Sequence, residues 1–83
     1  MEMDETAIPV DKAMIITSIE YMILNLYNNP DSMFPAICQL IDEHQITGMK
    51  DTMTYFYEML LFRGYEDHAQ KFAEKYSIPP LNN

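Results

Sequence analysis

The chain has no tryptophan, one cysteine, two glycines and only five basic residues among its 83. Each shortage excludes something. A lone cysteine, Cys38, cannot close an internal disulfide, so no covalent staple supports the fold. Gly48 and Gly64 stand apart, so no glycine-rich loop cradles phosphate. The basic residues Lys12, Lys50, Arg63, Lys71 and Lys75 are scattered, against 13 acidic ones and a net charge of −8. Such a surface repels DNA and RNA, and no direct nucleic-acid partner is expected. No apolar run approaches the roughly 20 residues that cross a bilayer. The amphipathic segments have acidic or neutral flanks where membrane-surface helices carry Lys and Arg, so no membrane partner is expected. The first residues, MEMDETAIPV, lack an apolar stretch behind a basic one and do not read as a signal peptide. A cytoplasmic location suits the single cysteine.

What remains is ample apolar material, 48% of the residues, in a chain sized for one domain. Residues 1–83 are expected to form a single helical domain, with an acidic flexible tail over 1–7 and a loose C-terminus over 79–83. The organising stretch is Ala13 to Tyr27, which holds one charged residue, Glu20. Ile15, Ile16, Ile19, Met22, Ile23, Leu26 and Tyr27 recur at helical spacing and form one wide apolar face. Met14, Thr17, Tyr21 and Leu24 form a second stripe on another side.

The punctuation predicts four helices and no sheet. The first starts between Ile8 and Lys12, with Pro9 in its first turn and Asp11 as a candidate N-cap. It ends at Asn28-Asn29-Pro30, with Asn28 suited to a left-handed cap. The second starts at an Asp31 or Ser32 cap, and Pro35 falls early enough to lose no essential hydrogen bond. Its buried face is Met33, Phe34, Ile37, Leu40 and Ile41. After a turn at Ile46-Thr47-Gly48, the third helix runs from Met49 to Phe62 or Arg63. Met49, Met53, Phe56, Tyr57 and Leu60 are its core side, while Tyr55, Met59 and Phe62 face elsewhere. Gly64 is the natural left-handed C-cap. The fourth runs from Tyr65 or Glu66 to Tyr76, with Ile78 folding back and Pro79-Pro80 blocking continuation. Thr54 to Tyr76 resembles one helix-turn-helix unit of a tetratricopeptide-like array. Its turn glycine, following alanine and inner aromatics carry the resemblance, which implies an αα-hairpin; no second copy is present.

Catalytic chemistry is not assembled at any spacing. Cys38 with His44 or His68 could be drawn as a thiol pair, but Cys38 lies among apolar helical positions where a small buried residue is ordinary. Asp42, Glu43 and His44 do not share a helix face, and no HExxH, CxxC or EF-hand loop occurs. No enzyme activity, metal or cofactor is therefore expected. Glu66-Asp67 suits a helix start as favourable dipole charge.

More apolar helix surface exists than four short helices need to cover internally. This points to a non-enzymatic protein-binding module, a small acidic regulator or adaptor. Its partner would be another protein or a second copy in a homodimer. Met14, Tyr21, Leu24, Tyr55, Met59 and Phe62 are the candidate contact residues. An alternative is an acidic inhibitor that blocks a basic nucleic-acid-binding surface of an enzyme, of a kind phages use against their hosts. Steep weakening of binding by salt would mark the inhibitor; weak salt dependence would mark the apolar module. A third reading is a small stabilising subunit of a larger enzyme.

The charge balance yields a direct test. In gel-shift titrations at physiological salt the isolated protein should leave duplex and single-stranded DNA and RNA unshifted. A submicromolar shift with any of them would contradict the electrostatic reading.

Overall fold

Isoleucine at four positions between Ile15 and Ile23 makes one side of the first helix both apolar and stiff, since branched side chains hold one rotamer in a helix. The computed structural model describes residues 10–79. Its helices are α1 (Val10–Leu24), α2 (Pro30–Glu43), α3 (Lys50–Phe62) and α4 (Glu66–Tyr76). No strand occurs among the described residues, so the chain is all-α. The expected tail over 1–7, the role of Pro9, the stop at Pro80 and the loose Leu81–Asn83 lie outside them.

Helix α1 packs on α2 and α3, and α3 packs most extensively on α4. The α3–α4 packing is compatible with the expected hairpin. The connections between α1 and α2 and between α2 and α3 each contain one 3-10 turn, Leu26–Asn28 and Ile46–Gly48. Each turn sends one fully buried side chain, Leu26 or Ile46, into the core. There they join Ile19 and Ile23 of α1, Ile37 and Ile41 of α2, Met53, Phe56, Tyr57 and Leu60 of α3, and Ala69 and Phe72 of α4. Full burial of an Ile, Leu or Phe side chain contributes about 1.5–3 kcal/mol each before entropy is counted. Met33, Phe34, Leu40 and Met49 were expected on core faces and are half-buried against this cluster.

Several boundaries differ from the sequence expectation, each for a local reason. Tyr27 was placed on the core face but is 67% exposed. α1 stops at Leu24, and the tighter 3-10 turn that follows breaks the α period and swings Tyr27 outward. Asn28 does not take a left-handed conformation. Asp11 lies inside the first turn of α1 rather than at its cap. In α2 the capping position is Asn29 and Pro30 is the first helical residue, so neither Asp31 nor Ser32 caps it. A first-position proline removes only an N–H that would have no partner, and its ring presets the helical φ. Because α2 starts this early, Pro35 lies well inside it. It therefore removes the N–H that the Asp31 carbonyl would accept, at a site exposed to water.

The expected turn at Ile46-Thr47-Gly48 is a 3-10 turn, and the left-handed residue is Gln45 just before it, at φ 56°. Gly64 does adopt the expected left-handed conformation, at φ +88°. Tyr65 N–H donates to the Leu60 carbonyl at 2.8 Å and Gly64 N–H to Leu61 at 3.0 Å, the paired bonds of a Schellman cap. At the end of α4 the left-handed residue is Ser77, φ 57°. Ile78 N–H then reaches back to the Ala73 carbonyl at 2.9 Å, and its side chain closes the core.

The two glycines should respond differently to substitution. A Cβ would meet no atom within 4 Å at either site, so backbone strain alone separates them. Gly64→Val should lower stability in urea melts by about 1–2 kcal/mol or more. Gly48→Ala should be neutral or stabilising by up to about 1 kcal/mol. Equal midpoints for wild type and Gly64→Val would refute the cap.

Candidate interaction surface

Adjacent residues on α1 and α3 point in opposite directions, and this separates the core from a second apolar surface. Ile19 and Ile23 are buried, while Tyr21 between them is 69% exposed. Phe56 and Leu60 are buried, while Tyr55 is 44% and Phe62 77% exposed. Met14 is 62% exposed on the same side of α1 as Tyr21, two helical turns away. Leu24 and Met59 are half-buried, and Met59 packs partly against the core. Of the six candidate residues, four are therefore exposed and two sit at the margin of the core.

The exposed members form one stripe on α1, Met14 and Tyr21, and one on α3, Tyr55 and Phe62. Helix α4 packs along α3 on the side of Tyr57 and Leu61, which share a groove with Gln70, Ala73 and Glu74. It leaves both stripes uncovered. The Glu20 carboxylate of α1 stands beside the Tyr55 phenol of α3. Hydrogen bonding to Glu20, a little burial and the Glu20 charge together raise the Tyr55 pKa. Glu20 lies about 100° round α1 from Tyr21, so the contact sets the flank of α1, not the Tyr21 side itself, against the α3 side that Tyr55 shares with Phe62. Glu20 was not among the candidate residues. It read as an isolated charge on an apolar helix, and nothing in its spacing indicated the phenol opposite.

The remaining candidate chemistry lies on the other side of the molecule, between α2 and α4. Burial raises the Cys38 thiol pKa, outweighing the hydrogen bond from Tyr76 and the charge of Lys75. A protonated, buried thiol is a poor nucleophile. The Tyr76 hydroxyl donates to the Asp42 carboxylate at 3.0 Å and lies 3.3 Å from the Cys38 carbonyl. Burial foremost, with Cys38 and Asp42 adding to it, raises its pKa strongly. This tyrosine ties the end of α4 to the end of α2. His68 lies edge-on to Phe34, with centroids 5.1 Å apart, and to Tyr65 at 6.3 Å, which makes it part of an aromatic seam. His44 takes the C-cap of α2. Neither histidine meets Cys38 in a catalytic arrangement. Among the described residues no group of three or more His, Cys, Asp or Glu side chains is placed to hold a metal ion. Grooves of about 460 and 410 Å³ flank α4 without a histidine or cysteine in either lining, and an open one of about 490 Å³ between α2 and α4 includes Cys38, Asp42 and Lys75. No described helix is long and apolar enough to cross a membrane.

Set against models of known families, curated proteins and solved structures, the chain matches none.

The α2–α4 tie should be visible in alkaline unfolding. The unfolded chain releases the Cys38 and Tyr76 protons near their ordinary values of 9.0 and 10.0, and the folded chain holds them to higher pH. Stability is therefore fully present below pH 9 and falls as pH rises beyond it. Tyr76→Phe should cost about 1 kcal/mol at neutral pH and should flatten the decline above pH 10. An unchanged slope in pH-dependent urea melts would remove Tyr76 from this role.

Proposed function

We infer that the protein is a non-enzymatic binding module that holds another protein on its α1–α3 face. The observation that carries this reading is the exposure of two large aromatics on adjoining helices, Tyr21 at 69% and Phe62 at 77%. Single exposed apolar residues are ordinary on any protein. Here Met14 and Tyr21 share the outer side of α1, Tyr55 and Phe62 share that of α3, and none of the four belongs to the core cluster. Grouped apolar exposure of this kind marks interaction surfaces, and aromatics are the usual anchors. A reducing cytosolic setting suits this reading, because the single thiol is buried. The inhibitor alternative calls for the acidic residues to gather on one side; Glu20, Asp51 and Glu58 lie on α1 and α3, while Asp31, Asp42 and Glu43 lie on α2 and Glu66, Asp67 and Glu74 on α4.

The reading is tested by co-purification. Tagged protein from its source cells should retain a partner that Tyr21→Asp and Phe62→Asp lose and Lys71→Ala, on α4, keeps. Circular dichroism and urea melts of both aspartate variants should match wild type within about 0.5 kcal/mol, as surface changes do. If all variants retain the same proteins, or the aspartate variants unfold, the face is not the binding surface.

A further inference from the structure

The exposed side of α3 carries more than aromatics. Asp51, Tyr55, Glu58 and Phe62 are spaced by four, three and four residues. At about 100° per residue these positions fall within one narrow stripe. Asp51, Tyr55 and Phe62 are exposed and Glu58 is half-buried. Acid and aromatic side chains thus alternate along about 16 Å of helix. Across the seam, Glu20 of α1 adds a further carboxylate at Tyr55. Cationic side chains point elsewhere. Lys50 lines the groove with Thr47, Met53 and Tyr76 on another side of α3, and Arg63 falls about 100° away from Phe62.

This pattern specifies what can cover the face. We propose that its occupant is an amphipathic helix of a partner protein, with apolar side chains for Tyr55 and Phe62 and Lys or Arg side chains for Glu20, Asp51 and Glu58. The proposal rests on the binding-module reading above and adds the partner's chemistry. The apolar ridge of a partner helix can pack along this stripe. Acids between the aromatics reward a basic partner and penalise an acidic one. A second copy of this chain is such an acidic partner. It would bring Asp51, Glu58 and Glu20 against like charges, on a chain whose net charge is already −8. An anionic lipid surface is repelled for the same reason.

The probe is a synthetic helical Leu/Lys amphipathic peptide, compared with a Leu/Glu peptide of the same pattern, titrated against the full chain by fluorescence anisotropy. The Leu/Lys peptide should bind and the Leu/Glu peptide should not. Phe62→Ala, and separately the double variant Asp51→Lys with Glu58→Lys, should each weaken binding about tenfold or more. A charge-matched control, Glu66→Lys with Glu74→Lys on α4, should retain most of the affinity. Equal loss in both double variants would reduce the effect to net charge and overturn the proposal. So would no binding of the Leu/Lys peptide, binding of the Leu/Glu peptide, or a wild-type dimer in sedimentation that Phe62→Asp dissociates. If the peptide fails while Tyr21→Asp and Phe62→Asp still lose a co-purifying protein, the partner's chemistry is wrong and the module reading stands.

Discussion

Everything in this chain depends on Ile19 and Ile23 of α1 finding cover from the other helices. Both are fully buried, and so are Ile37, Ile41, Phe56, Leu60 and Phe72 around them. A domain of this size buries a smaller share of its surface than a larger one and has no disulfide to compensate. Net stability is a small remainder between burial and chain entropy, so few of these contacts are dispensable. The two 3-10 turns follow from the same need. A flexible connector would only join the helices, whereas these turns each add a buried side chain, Leu26 or Ile46.

Helix ends show how far sequence reasoning reached. Gly64 was readable because glycine is the residue that left-handed backbone tolerates best, and it follows an apolar periodic segment. Gln45 and Ser77 do the same work in this fold, at φ 56° and 57°, and carry no such signature. Their conformation is imposed from outside. Ile46 and Ile78, the residues that follow them, are both buried, and the chain must reverse to bring them inward. Tertiary burial overrides local preference there. The error at Tyr27 has a related origin: the α period was extended past Leu24, where a 3-10 turn already had to place Leu26.

Side-chain roles were legible to different depths. The core positions of α1 and α3 follow from angle alone, because each helix has one neighbour-rich side. The same reasoning separated Tyr21 and Phe62 from the interior. It could not grade Leu24 and Met59, which are half-buried; how closely helices approach is set by packing, not by spacing within either one. Nor could it find the Tyr76–Asp42 bond, which joins residues 34 apart in the chain. Glu20, Asp51 and Glu58 were passed over for another reason. On an acidic chain each carboxylate reads as solvation, and only their placement among the aromatics separates these from the rest.

Placing acids among the aromatics has a physical consequence beyond partner choice. Exposed Tyr55 and Phe62 on one helix side would otherwise favour self-association. Carboxylates between them keep water at the surface and add repulsion between copies, while the core loses nothing. The separation is sharp along the chain: Tyr21 and Phe62 point outward, while Ile19, Ile23 and Leu60 point inward. Because the interior closes without the outward set, that set is free to vary in shape and charge at little expense to folding. The fold and the proposed recognition surface therefore use different residues of the same two helices. Selection on one need not compromise the other, as long as the alternation along α1 and α3 is kept.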